Sequence, residues 1–203
     1  MHKQSYCNIL ELGGGSGFLS VGLIKSLRSS SDPITRNAKI MCTDSDANTI
    51  KNMRYNVLEN NESKTITVQK LDWSDDSIGG DKFASALQRT FKVKCNSQTA
   101  EEQNSSVDPI ISLITHVIGS DVHFGHQTLH PLSSIVASIK HRNPDVQVIL
   151  MLKERSENGV SDLVAEIERK LNKDGVCNYT DTVHVRDVIE SGASDLEMKL
   201  VEF

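Results

Sequence analysis

The sequence predicts an α/β fold: a mostly parallel sheet with helices on both faces and an antiparallel hairpin at the C-terminal end. Three observations predict it. Short apolar runs alternate with segments of helical period along most of the chain, the pattern of βαβ units. A glycine-rich segment, 13–17, stands directly between the first apolar run and the first helical one. The end of the chain then departs from the alternation, because 179–188 and 197–203 read as two consecutive strands joined by Ser191-Gly192-Ala193-Ser194. The 203 residues suit one domain, 1–203, and show no internal repeat.

Each element has its own justification. Asn8 to Leu12 is the first strand, and an amphipathic helix runs from Gly17 to Leu27 until Ser29-Ser30-Ser31-Asp32-Pro33 breaks it. Lys39 to Thr43 is the second strand, followed by a helix from Asp46 to Glu59 that stops at Asn60-Asn61. The β-branched row Thr65, Ile66, Thr67 and Val68 opens a third strand that ends at Leu71. Phe83 to Phe91 reads as a helix. The polar stretch from Lys94 to Asp108 has no apolar face and is expected to be a mobile loop. Ile110 to Ile118 is near-continuously apolar, which predicts a fourth strand covered on both faces. A helix over Leu129–His141, a strand over Val146–Leu152 and a helix over Val160–Leu171 complete the series before the hairpin.

Composition narrows the function. Lys plus Arg is 22 and Asp plus Glu is 27, a net charge of −5, which disfavours broad charge-driven nucleic-acid binding. None of Cys7, Cys42, Cys95 and Cys177 is paired at CxxC spacing, so no zinc or redox motif is expected. Cys7 and Cys42 fall in apolar surroundings and are expected to be buried free thiols in a reducing compartment. The N-terminus does not read as a signal peptide, and no apolar run is long enough to span a bilayer. The expectation is a cytoplasmic monomer, with the nucleus left open.

The chemistry centres on Glu11-Leu12-Gly13-Gly14-Gly15-Ser16-Gly17. A dinucleotide fingerprint needs G-x-G-x-x-G, but Gly13 and Gly15 are followed by Phe18 at the sixth position, so the spacing fails. What fits is E-x-G-x-G-x-G. A leading carboxylate repels pyrophosphate and suits a cationic ligand, and S-adenosylmethionine carries a sulfonium and an ammonium and no phosphate. Asp44, ending the second strand, can accept both ribose hydroxyls while Asp46 caps the following helix. Asp72 can accept from an adenine amino group, and Trp73 can stack on the ring. All three stand at carboxyl ends of consecutive strands, where open α/β sheets bind ligands.

These residues, with Asn56-Val57, Asn60-Asn61, Leu71-Asp72-Trp73 and Gly119-Ser120-Asp121-Val122-His123-Phe124, resemble the seven-β-strand protein-lysine methyltransferases. The similarity is nearest to the eukaryotic group acting on translation elongation factors and chaperones. It implies a Rossmann-like class I methyltransferase fold with a seven-stranded sheet. It also implies S-adenosylmethionine as cofactor, S-adenosylhomocysteine as product, and a lysine of a protein, such as a translation elongation factor, as acceptor. Glu11, Gly13, Gly14, Gly15, Ser16, Gly17, Asp44, Asp72, Trp73 and Ser120 would hold the cofactor. Asp121 and Phe124, from the family's D-x-x-Y/F motif, would act on the acceptor. Pro131-Leu132 and Lys153-Glu154-Arg155 also fit the group's pattern. Two features depart from it: most members have a segment ahead of the glycine strand, expected here before Met1 of a longer protein, and Phe124 lacks the hydroxyl many members keep.

His116, His123, His126 and His130 cluster in sequence without zinc spacing and are expected to be ordinary polar residues around the cleft mouth, so no metal is expected. A protein histidine, a small molecule or RNA as acceptor, and a non-catalytic scaffold that binds the cofactor, remain open alternatives.

Overall fold

The computed structural model describes residues 6–73, 80–91, 108–153, 159–172, 184–187 and 198–202. The expected loop over Lys94–Asp108 lies outside them apart from Asp108, and the link 191–194, Cys95 and Cys177 lie outside them too. The strands are β1 (Asn8–Leu12), β2 (Lys39–Asp44), β3 (Ile66–Lys70), β4 (His116–Ser120), β5 (Gln147–Lys153), β6 (His184–Asp187) and β7 (Met198–Glu202). The helices are α1 (Phe18–Leu27), α2 (Pro33–Arg36), α3 (Ala47–Glu59), α4 (Asp81–Phe91), α5 (His126–Arg142) and α6 (Val160–Asn172). The strands pair in the order β3-β2-β1-β4-β5-β7-β6. The first five are parallel, while β7 runs antiparallel to both β5 and β6.

All five residues of β1 are buried, because it lies at the centre of the sheet with helices on both faces. Alternation along the strands divides the core in two. Ile9, Ile40, Cys42 and Ile118 pack with Val21 and Ile24 of α1 and Met53 and Val57 of α3. Leu10, Leu12, Met41 and Val117 pack on the other face with Phe83 and Leu87 of α4, Leu132 and Val136 of α5, and Leu163 and Ile167 of α6. The chain runs β1, β2, β3 toward one edge and resumes with β4 on the other side of β1, so the strand order reverses between β1 and β4. That switch point opens a crevice at the carboxyl ends of the strands, flanked by the loops after Leu12 and after Ser120.

Three expectations about the elements and the core need correction. The apolar run from Ile110 is not strand throughout: Ile111–Leu113 is a 3₁₀ turn, and β4 begins only at His116. Asp108 Oδ1 accepts the Ile110 and Ile111 N–H groups, and Ser112 N–H donates to the Asp108 carbonyl, which winds the segment up. The Asn143 amide then ties it down by donating to the Ile111 and Ile114 carbonyls. Ile111, Leu113 and Ile114 are buried in the core from this turn rather than from the sheet. The expected break at 29–33 also contains the start of α2, with Pro33 in its first turn and Asp32 capping Ile34 and Thr35. Of the two expected buried thiols, Cys42 is buried and Cys7 only half-buried. Among the described residues, no helix is long and apolar enough to cross a membrane.

One ion pair fastens α1 to the turn after α3. Glu62 is 1% exposed; its carboxylate accepts both outer guanidinium nitrogens of Arg28, one at 2.6 Å, and the Thr65 hydroxyl at 2.8 Å. Arg28 is half exposed, so solvent screens part of the attraction. Arg28→Ala is expected to lower unfolding free energy by about 1–3 kcal/mol, chiefly by stranding the buried carboxylate. Urea unfolding checks this, and adding Glu62→Gln should recover part of the loss.

Candidate functional site

The crevice is a cleft of about 610 Å³, with walls formed by the loop after β1, the start of α1, the end of β2 and the connection from β4 to α5. Glu11, Gly13, Gly14, Gly15, Ser16, Asp44, Trp73, Ser120, Asp121 and Phe124 all line it, as the sequence reading grouped them. Gly17 and Asp72 do not. Gly17 is the residue before α1, at φ 79°, and stands over Met53, whose Cγ would lie 2.9 Å from a Cβ placed there. Its role is to let the loop enter the helix. Asp72 is exposed and lines a neighbouring cavity of about 530 Å³ with Lys70, Asp81 and Lys82. β3 ends at Lys70, and on the connection beyond Leu71 Trp73 lines the cleft while Asp72 lines the neighbouring cavity.

The glycine loop divides its labour. Gly14 sits where a Cβ would come within 2.2 Å of Cys42 Sγ, and its N–H donates to the Thr43 carbonyl at 2.7 Å. Gly15, at φ 55°, has nothing within 4 Å of where a Cβ would stand. The first glycine is required by the core, the second keeps space open above the loop. The Asp44 carboxylate accepts the Gly15 N–H at 3.1 Å and the Asp46 N–H at 3.1 Å, so it fixes the loop while each oxygen retains a free lone pair. Asp46 caps α3 by accepting the Thr49 N–H at 2.7 Å, which holds the Asp46 carboxyl below the usual range.

Glu11 forms part of the cleft's floor and is 2% exposed. It accepts hydrogen bonds from the Ser20 hydroxyl and, at 2.9 Å, from the Cys42 thiol. No cation pairs with it among the described residues, and burial pushes its carboxyl above the ordinary range despite those two bonds. Burial and the adjacent Glu11 push the Cys42 thiol up as well, so it stays a neutral donor. A raised carboxyl pKa means that folding favours the protonated form. That contribution is complete below the unfolded value of about 4.3 and is lost as pH rises through the folded value. In the absence of ligand, Glu11→Gln should therefore melt above the wild type at pH 8, with the gap closing toward pH 4. Melting curves at several pH values check this, and a gap independent of pH would contradict it.

Across the cleft, Asp121 adopts φ 51°, a left-handed conformation that few non-glycine residues take. Its N–H donates to the Met151 carbonyl at 2.8 Å. The turn is closed by Thr128, whose hydroxyl accepts the Phe124 N–H at 2.7 Å. None of the four clustered histidines is among the residues that line the cleft. His123 is buried against Thr128, His116 lies in β4 beside the Thr115 hydroxyl, and His130 reaches Glu166 on α6. That glutamate, held mainly by Arg169, is lowered to about 2. Among the described residues no group of three potential ligands could hold a metal ion.

Six lining residues escaped the sequence reading: Phe18, Leu19, Ser45, Thr49, Val122 and Thr128. Phe18, Ser45 and Val122 lie next to or within motifs read from the sequence, whereas Leu19, Thr49 and Thr128 lie farther along the helices that follow. The first helical residue after a ligand-binding loop necessarily borders the ligand, and that signal could have found Phe18.

Comparison with solved structures identifies the architecture. The human methyltransferase 10 domain containing protein superposes with a TM-score of 0.52 at 13% identity, over 98% of this chain and 72% of that one. The N-terminal domain of human METTL16, solved with S-adenosylhomocysteine, gives 0.54 at 12% identity, over 99% of this chain and 63% of that one. A TehB-like SAM-dependent methyltransferase from Corynebacterium glutamicum gives 0.53 at 13% identity, over 99% and 81%. The fold is a methyltransferase fold. Within it, a family model described as lysine methyltransferase matches residues 1–86, which span β1 to the middle of α4 and so include the glycine loop, Asp44 and Trp73. No curated protein sequence matches the chain. The cleft occupies the switch point of this methyltransferase fold, on the loops after β1 and β4.

Proposed function

We propose that the chain is an S-adenosylmethionine-dependent methyltransferase whose acceptor is a lysine side chain of a protein. One observation carries the reading: the charged side chains that line the cleft among the described residues are the three carboxylates Glu11, Asp44 and Asp121. Three carboxylates on one cleft attract cations and repel phosphate. The cleft suits a sulfonium and ammonium ligand, and it suits an ammonium acceptor better than a nucleic-acid strand. The lysine methyltransferase model over residues 1–86 supports the same acceptor.

The residues present fit the cofactor. Gly15 leaves the space a ligand needs to lie on the loop, Asp44 retains acceptor capacity for ribose hydroxyls, and Trp73 offers an indole for stacking. When bound, S-adenosylmethionine supplies an electrophilic methyl group. The protein's own work is on the acceptor. A lysine amine of pKa about 10.4 must be neutral to react, at a cost of about 4–5 kcal/mol at pH 7. Asp121 orients the arriving ammonium along the line of attack, and Phe124 bounds its path. The acceptor class we favour is a translation elongation factor, met by a monomer in the cytoplasm.

Trp73 is the chain's one tryptophan and lines the cleft. Titration with S-adenosylhomocysteine should change its fluorescence saturably, and NAD should not. A saturable response to NAD alone would replace this reading with that of a nucleotide-binding oxidoreductase.

A further inference from the structure

Three aromatic rings line the cleft; Trp73 is assigned to the cofactor, and of the two phenylalanines only Phe124 belongs to the motif that points to the acceptor. Phe18 opens α1 and is 85% exposed, while Phe124, on the connection from β4 to α5, is 59% exposed. Both line the cleft, from walls built by different elements. The other described phenylalanines, Phe83 and Phe91, are buried in the core. Aromatics make up 4% of the chain, so these two large apolar side chains are a sizeable share of a scarce residue class.

We propose that Phe18 contacts the acceptor, forming with Phe124 an aromatic passage for an alkylammonium with a long aliphatic stem. The inference rests on the methyltransferase reading and extends it to a residue outside the D-x-x-F motif. Nothing local requires a phenylalanine at position 18, since the first turn of a helix favours small polar, acidic or proline residues. Left in water, the ring is apolar area that an occupant of the cleft would cover. Its faces carry partial negative charge, which adds to the attraction of Asp121 for an ammonium. Methylenes between two rings, with the ammonium beside Asp121, match the chemistry of a lysine side chain. They do not match an anionic acceptor or one that is polar along its length.

Two probes test this without knowledge of the natural acceptor. The first is S-adenosylhomocysteine with its sulfur replaced by N–H. The second is the same compound with an n-hexyl arm on that nitrogen, leaving where the methyl would leave. The arm should improve affinity for the wild type roughly tenfold. Phe18→Ala should lose most of that gain while binding the N–H compound within about twofold of wild type, and Phe18→Tyr should keep the gain. Because Phe18 is so exposed, its truncation removes nothing from the core, and circular dichroism should be unchanged. The proposal is overturned if Phe18→Ala weakens both probes equally, which would make the ring part of the cofactor site. It is overturned equally if the arm's gain is absent from the wild type or untouched by Phe18→Ala. Failure of the wild type to bind either probe would instead remove the methyltransferase reading itself, and this proposal with it.

Discussion

Gly15→Arg should abolish cofactor binding while leaving the protein folded. The position has φ 55° and open space around the missing Cβ, so a side chain there projects into the cleft and not into the core. A left-handed arginine costs about 1–2 kcal/mol, which in a chain of this size lowers the melting temperature by only about 2–8 °C. Calorimetric affinity for S-adenosylhomocysteine should fall at least a hundredfold, roughly 2.7 kcal/mol, since the side chain occupies the ligand's place. Gly14→Ala is the informative contrast. Its Cβ would press on Cys42 Sγ at 2.2 Å, inside the core, so that variant should lose stability first and binding only as a consequence. Unchanged affinity in a folded Gly15→Arg protein would place the cofactor elsewhere.

Asp121→Asn should separate binding from turnover. Asparagine tolerates the left-handed backbone that Asp121 adopts, so the β4–α5 turn and its bond to the Met151 carbonyl should persist. What disappears is the negative charge proposed to face the acceptor. S-adenosylhomocysteine should bind within about threefold of wild type, while turnover on a protein acceptor should fall roughly a hundredfold or more. Normal turnover would show that Asp121 shapes the turn and nothing else, and would favour an acceptor other than lysine.

The parts of the molecule legible in the sequence are those in which one residue type has one physical use. Buried parallel strands must be apolar on both faces, which marked β1, β2 and β5 to within a residue or two. Glycines at a strand end, with a carboxylate before them, marked the loop, and Asp44 and Trp73 marked two further strand ends of the same cleft. Illegible parts are those where tertiary hydrogen bonds choose between equals. An apolar run such as Ile110–Ile118 is buried equally well as a strand or as a turn, and the Asp108 and Asn143 side chains decide for the turn. The adjacent Asp72 and Trp73 read as one adenine site, yet they lie beyond the end of β3, on a connection whose path no strand pattern sets, and line different cavities. Phe18 enters the sequence reading only as the residue that breaks the G-x-G-x-x-G spacing, and its 85% exposure at the cleft is a tertiary fact that no local pattern announces.

Methyl transfer to an acceptor, and the residue that receives it, decides what this protein does. The protein, with S-adenosylmethionine carrying a tritiated methyl group, would be incubated with an extract of cells that lack its activity, and the labelled material hydrolysed to amino acids. Label recovered as methyllysine, dependent on active protein and lost with Asp121→Asn, is the result this account predicts. Label confined to methylhistidine or to the nucleic-acid fraction, or no transfer by a protein that binds S-adenosylhomocysteine, would contradict it.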